Sequence, residues 1–158
     1  MDYLWSPWRY RYVTEEKPSS GCVFCQKASE DNDERNFILY RGLNNFVLLN
    51  IYPYTSGHLM IAPFQHIGQL AATDDATWIE LAMLTRKAEQ ALQIAYKPEG
   101  INLGMNLGKS AGAGIADHIH MHVLPRWHAD SNFLTVIGET RVLPEALEDT
   151  YRKLKPLF

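Results

Sequence analysis

The sequence predicts an α+β domain: an antiparallel sheet of about five strands with one long helix and a C-terminal helix. Three observations predict it. Residues 42–73 form the longest stretch without Lys, Arg, Asp or Glu, and it holds two short apolar runs separated by turn chemistry. Behind Thr73-Asp74-Asp75, apolar side chains recur at spacings of three and four as far as Tyr96. Residues 118–123 alternate between histidine and apolar, with the period of a strand.

Taken in order, Phe37–Tyr40 reads as the first strand, turned by Arg41-Gly42. Phe46–Ile51 and His58–Phe64 read as two buried strands, joined by the turn Tyr52-Pro53-Tyr54-Thr55-Ser56-Gly57. Asn44, Asn45, Asn50, Pro53, Gly57, His58 and Pro63 exclude a membrane span in this stretch. Thr73 or Asp74 caps the long helix. Trp78, Leu81, Leu84, Ala88, Leu92 and Tyr96 form its buried stripe, and Pro98 and Gly100 end it. Ile101–Asn106 is the fourth strand and His118–Leu124 the fifth, closed by Pro125. Pro144 sits where a second helix starts, continuing through Glu145–Leu154. Asp31–Glu34 reads as a solvated acidic loop.

The 158 residues, 46% hydrophobic, suit one domain over residues 1–158. Residues 1–20 are an aromatic N-terminal arm around Trp5-Ser6-Pro7-Trp8-Arg9-Tyr10-Arg11-Tyr12, expected to pack on the body or on a second subunit. Residues 139–158 are a C-terminal tail with its helix. A net charge of -3, from 15 Lys+Arg against 18 Asp+Glu, excludes general disorder and a basic nucleic-acid footprint. Two cysteines make no disulfide framework, and the first residues carry no apolar signal region. The expectation is a soluble cytoplasmic protein with no nucleic-acid or membrane partner.

Strand period puts His118, His120 and His122 on one face, with Ile119, Met121 and Val123 on the other. An exposed polar strand face needs no imidazole, whereas nucleophilic, acid–base and metal-ligand work near neutral pH does. Residues 100–114, just upstream, hold five of the ten glycines. Gly108-Lys109-Ser110 is not a P-loop, because Leu103 stands at the required first glycine and the segment runs into a strand. A glycine-rich loop still lets backbone N–H groups approach an anion. Cys22-Val23-Phe24-Cys25 follows Gly21 in an N-terminal loop, with a spacing suited to one tetrahedral metal that lacks two further ligands; a redox pair and two buried thiols remain open alternatives.

His118-Ile119-His120-Met121-His122-Val123-Leu124 resembles the signature of the histidine-triad (HIT) nucleotide-binding proteins. The resemblance extends through Asn50, Gly57-His58-Leu59-Met60-Ile61-Ala62-Pro63, His66, Asn106 and the glycine loop, roughly residues 22–127. Pro125-Arg126-Trp127, Asn132-Phe133 and Gly138–Pro144 resemble a bacterial branch typically described as diadenosine tetraphosphate phosphorylases. The resemblance implies an enzyme acting on dinucleoside polyphosphates, with a purine nucleotide or dinucleoside polyphosphate as ligand. It implies that His120 forms a nucleotidyl intermediate, oriented by the His118 carbonyl, while His122 and His58 stabilise phosphate charge.

It further implies nucleotide contacts from Val23 and Phe24 at the base, Asn50 at the ribose, and Asn106, Gly112, Ala113 and Gly114 on the phosphate side. Asn50 stands where an acid is usual, and Gly114-Ile115 where other branches place Gln or Ser beside the leaving group. Both are departures, and the second points to phosphate as acceptor. In the zinc-bearing branch the ligands correspond to Cys22, Cys25, His66 and His118, a structural zinc with no organic cofactor. A homodimer through the long helix and sheet is implied. The rival readings are a nucleoside phosphoramidate or adenylyl hydrolase of the same family, a non-catalytic nucleotide-binding module, and a metal-only histidine cluster.

Overall fold

A computed structural model of the chain describes residues 21–128, 130, 137 and 145–158. The aromatic arm, Asn132-Phe133 and the whole Gly138–Pro144 motif lie outside the described residues. The elements are α1 (Val23–Ser29), α2 (Asp33–Asn36), β1 (Ile38–Arg41), β2 (Asn45–Leu49), β3 (Leu59–Pro63), α3 (Asp75–Tyr96), β4 (Gly100–Gly104), β5 (Met121–Arg126) and α4 (Leu147–Leu154). The five strands form one antiparallel sheet in the order β1-β2-β3-β5-β4. The α+β expectation holds, with the long helix and C-terminal helix in place. Among the described residues no helix is long and apolar enough to cross a membrane.

The uncharged stretch is explained by burial on both faces. Every residue of β2 and β3 is buried. Val47, Leu49, Leu59 and Ile61 pack with Leu81, Leu84, Ala88, Ala91 and Leu92 of α3 and with Tyr151 and Leu154 of α4. Phe46, Leu48, Met60 and Ala62 face the other way, onto Phe24 of α1. Strands covered on both sides need apolar residues at consecutive positions, so polarity does not alternate along them.

Asp74 caps α3 by accepting from the Thr77 N–H at 2.7 Å, and Lys97 ends it in the left-handed region at φ 46°. Trp78 does not join the buried stripe as expected. It is 39% exposed because the stripe centres on Thr77, Leu81, Leu84, Thr85, Ala88, Ala91 and Leu92, leaving Trp78 on its flank. Tyr96 is only half-buried.

Four further expectations are corrected. Cys22-Val23-Phe24-Cys25 is not a loop: it opens α1, with Cys22 at the N-cap. Asp31–Glu34 is not simply a solvated loop. Asn32 caps the short α2 through the Arg35 N–H, and Asp33 accepts from Arg41 at 2.8 Å. The fifth strand begins at Met121, not His118, because the β3 ladder extends only to the Ile61–Met121 pair. It also continues through Pro125, which lies beyond the β3 ladder and pairs only with Ile101 of β4, an edge-like place where a missing N–H is tolerated. The C-terminal helix starts at Leu147, two residues after Glu145.

Two polar devices hold the strands in place. Arg41 donates to the carbonyls of Ala28 and Glu30 at 2.6 and 2.8 Å, tying the end of α1 to β1. Glu80 of α3 accepts from the N–H groups of Leu43, Asn44 and Asn45 at 2.7, 2.7 and 2.8 Å, and from Asn45 Nδ2 at 2.9 Å. Burial alone would raise the Glu80 pKa. The hydrogen bonds from Asn45, Leu43 and Asn44 outweigh it and hold the carboxyl below its ordinary value. A depressed folded pKa gives stability that is complete above the unfolded value of about 4.3 and lost as pH falls through the folded value. The stability gap between the native protein and Glu80→Gln is therefore constant from pH 7 to about 5 and closes in stronger acid. Urea unfolding across that range checks it; a gap independent of pH would contradict it.

Candidate functional site

The site lies where β3 and β5 meet the turn before β3. Gly57 makes that turn possible. Its φ is +78°, and an added Cβ would stand 3.1 Å from Leu92 and Tyr96 and 3.2 Å from Pro125. The turn delivers His58 to the start of β3, opposite His122 on β5, whose backbone pairs with Met60. His58 Nε2 and His122 Nδ1 are 2.8 Å apart. The His120 and His122 rings meet edge-on at 4.8 Å. His118, His120, His122 and His58 are all buried, between 0 and 7% exposed.

Three of the four imidazoles are oriented by a backbone group. His120 Nδ1 lies 2.9 Å from the His118 carbonyl, which only accepts, so Nδ1 carries the proton and Nε2 the lone pair. His118 Nε2 likewise donates to the Pro63 carbonyl at 2.8 Å, leaving the His118 Nδ1 lone pair turned to the cysteines. Tyr54 donates its N–H to His58 Nδ1 at 3.1 Å, and its ring lies 4.7 Å from His58 and 5.9 Å from His122. Sequence reasoning missed Tyr54 because the contact is a main-chain one; its position four residues before His58 in the turn was the available signal.

Burial, with His122 and His120 nearby, pushes the His58 pKa down to about 3. Burial, then His120, pushes His122 down to about 4. Burial also lowers His120, outweighing the opposite effect of the His118 carbonyl. These imidazoles are uncharged at neutral pH, which leaves the His120 Nε2 lone pair available as a nucleophile.

The four expected metal ligands come together. The donor atoms of Cys22, Cys25, His66 and His118 all lie within 4.8 Å of one another. His118 Nδ1 is 3.3 Å from Cys22 Sγ, 3.6 Å from Cys25 Sγ and 3.3 Å from His66 Nδ1, and Cys25 Sγ is 3.4 Å from His66 Nδ1. A tetrahedral zinc with bonds of about 2.0–2.3 Å sets N to N at about 3.3 Å and S to N at about 3.6 Å. The donor set fits the metal in kind and spacing, and the His118–Pro63 bond is the outer contact such a ligand usually makes.

Of the remaining expected residues, Phe24 and Asn50 touch these imidazoles. Phe24 is buried against the His118 and His120 rings at 5.1 and 4.9 Å, and Val23 is half-buried beside it. Asn50 is buried in the turn. Its Oδ1 accepts from the Tyr52 N–H at 2.9 Å and its Nδ2 lies 3.3 Å from His58 Nδ1. In the glycine loop the N–H groups of Ala111, Gly112 and Ala113 bond to Gly108 and Lys109 carbonyls, so three amides shape the loop itself. Ala113 is buried, while Gly112 and Gly114 are exposed, and Asn106 is half-buried near Gly112. An added Cβ at Gly114 would meet nothing within 4 Å. Lys109 is exposed, and Arg126 is held by Asp130 at 2.5 Å and Asn102 at 2.7 Å.

Comparison with known proteins agrees with this geometry. The HIT domain model matches residues 32–129. The chain is 39% identical over 161 residues to the AP-4-A phosphorylase of Mycobacterium tuberculosis, covering 98% of this chain and 83% of that protein. It is 26% identical over 93 residues to the asymmetrical bis(5'-nucleosyl)-tetraphosphatase of Schizosaccharomyces pombe, covering 59% of this chain and 50% of that protein. A Zn-bound histidine triad family protein from Mycobacterium smegmatis superposes with a TM-score of 0.71 at 29% identity, covering 87% and 92% of the two chains.

Proposed function

Because this chain belongs to the HIT domain family, we propose that it is an enzyme that transfers a nucleotidyl group from a dinucleoside polyphosphate through His120. The observation that carries this reading is the His120 ring: buried, uncharged, and held by the His118 carbonyl with its Nε2 lone pair left unpartnered among the described residues. That lone pair forms a bond to the α-phosphorus, and the bond from phosphorus to the bridging oxygen breaks. The electron pair leaves with the nucleoside polyphosphate. The new P–N bond puts positive charge on the ring, which the His120 Nδ1–H bond to the His118 carbonyl stabilises. His122, beside His120, stabilises the charge on the phosphate oxygens, with His58 bonded behind it. Phe24 and Val23 line the base side, Asn50 reaches the ribose, and Asn106 with Gly112–Gly114 borders the phosphates.

The acceptor is inorganic phosphate. The lack of a side chain at Gly114, exposed and with nothing within 4 Å of an added Cβ, supports this. The resemblance of the C-terminal motif to the phosphorylase branch, and the similarity to the mycobacterial AP-4-A phosphorylase, support it further. With diadenosine tetraphosphate, products analysed by chromatography should change from AMP plus ATP without phosphate to ADP plus ATP with it. Products that stay AMP plus ATP at saturating phosphate would make water the acceptor and the enzyme a hydrolase.

Cys22, Cys25, His66 and His118 hold a structural zinc in this reading, supported by the fit of their spacing. Four protein ligands leave no open position, so the ion supplies folding energy and not Lewis-acid chemistry. Elemental analysis of protein purified without chelator should find one zinc per chain. Cys22→Ser with Cys25→Ser should lose that zinc and lower both the thermal midpoint and the turnover, through the shared His118. Zinc-free native protein with freely reactive cysteines would contradict the assignment.

A further inference from the structure

Asn50 has a second relation to the site besides any ribose contact. Its amide is fixed in one orientation. The Tyr52 N–H, 2.9 Å away, needs an acceptor, so Oδ1 faces Tyr52 and the NH2 group faces His58 Nδ1 at 3.3 Å. The Tyr54 N–H also points at His58 Nδ1, at 3.1 Å. Two donors converge on one ring nitrogen, which must therefore carry a lone pair.

A neutral imidazole has one N–H, so the His58 proton sits on Nε2. His58 Nε2 faces His122 Nδ1 at 2.8 Å, which must accept. The His122 proton is then on Nε2. His120 has the opposite arrangement, with Nδ1–H on the His118 carbonyl and its lone pair on Nε2. His120 and His122, two residues apart, thus carry different groups on Nε2, a lone pair on His120 and an N–H on His122. Attack on phosphorus needs the first, and the departing oxygen needs the second.

We propose that Asn50 is a positioning residue which, with the Tyr54 N–H, holds His58 as its Nε2–H tautomer and so makes His122 a hydrogen-bond donor toward the leaving group. The catalytic consequence rests on the nucleotidyl-transfer reading; the tautomers rest on the hydrogen bonds alone. The groups facing His58 are consistent with a neutral ring. They are His122, His120, the Tyr54 ring and the Asn50 amide. Glu145, which lines a small cavity with Asn50 and His58, is engaged by Tyr96, Thr150 and Lys153. Burial keeps the His58 ring from adding a second proton, with a pKa pushed down to about 3.

Asn50→Asp is the discriminating variant. It keeps the shape and leaves an acceptor for Tyr52, but sets a carboxylate oxygen against His58 Nδ1. That oxygen draws the ring proton from Nε2 onto Nδ1, and the His58 Nε2–H that faces His122 is lost.

Long-range 15N–1H correlation spectra of the ligand-free, zinc-replete protein read each ring nitrogen directly. In the native protein His58 and His122 should both show a lone-pair Nδ1 and a protonated Nε2, and His120 the reverse. In Asn50→Asp the His58 Nδ1 should become protonated and its Nε2 should lose its proton. Asn50→Ala, which keeps only the Tyr54 donor, should move the Nδ1 signal part of the way. A native His58 protonated on Nδ1, or His58 signals unchanged in both variants, would overturn the proposal. Absence of activity on dinucleoside polyphosphates would instead remove the functional reading and leave the spectra to decide the tautomers.

Discussion

His118 is the residue on which the rest of the site depends. It is fully buried and used at three points. Its Nε2–H is tied to the Pro63 carbonyl, its Nδ1 joins the Cys22, Cys25 and His66 cluster, and its own carbonyl accepts the His120 Nδ1–H. A ring fixed on both sides cannot rotate, and its backbone cannot shift without releasing His120. The adjacent Ile119 N–H bonds to the Ile67 carbonyl at 2.7 Å. Residues 118–120 precede β5, so these contacts hold the backbone where the sheet ladder does not.

The sheet supplies rigidity for this arrangement by being buried on both faces. One side carries α3 and α4, the other Phe24 and the α1 end that Arg41 secures. Phe24 connects the two tasks. It fills the core beneath β2 and β3, and it also packs on the His118 and His120 rings. A large-to-small change there would remove core volume, at about 3–5 kcal/mol, and loosen both imidazoles. The Cys/His cluster, the core and the His120 ring are therefore parts of one packed unit, with His58 added from the turn that Gly57 permits.

Much of this was legible in the sequence, for definite reasons. The alternation of histidine and apolar residues marks His120 and His122 as neighbours although the strand starts only at Met121, the uncharged stretch marks strands covered on both faces, and Asp74 reads as the helix cap it is. The gathering of Cys22 and Cys25 with His66 and His118 spans 96 residues of sequence and came from family resemblance, not from local pattern. What sequence could not convey was set by tertiary contacts. Trp78 has the right spacing for burial but sits beside the stripe that the sheet covers. The cysteine pair opens a helix because Arg41, many residues later, satisfies that helix's last carbonyls. Tyr54 and Pro63 act through main-chain atoms, which residue identity does not reveal. Glu80 looks like one more charge on an exposed helix until its three backbone donors are seen.

The central claim is that His120, held through His118, becomes covalently nucleotidylated. Rapid quenching of the enzyme with diadenosine tetraphosphate at neutral pH, followed by digestion without acid and mass spectrometry, tests it most directly. The account predicts an adenylate on the peptide that contains His120, absent in His120→Ala and discharged when phosphate is added before the quench. Turnover with no adduct at any quench time, or an adenylate on another residue, would contradict it.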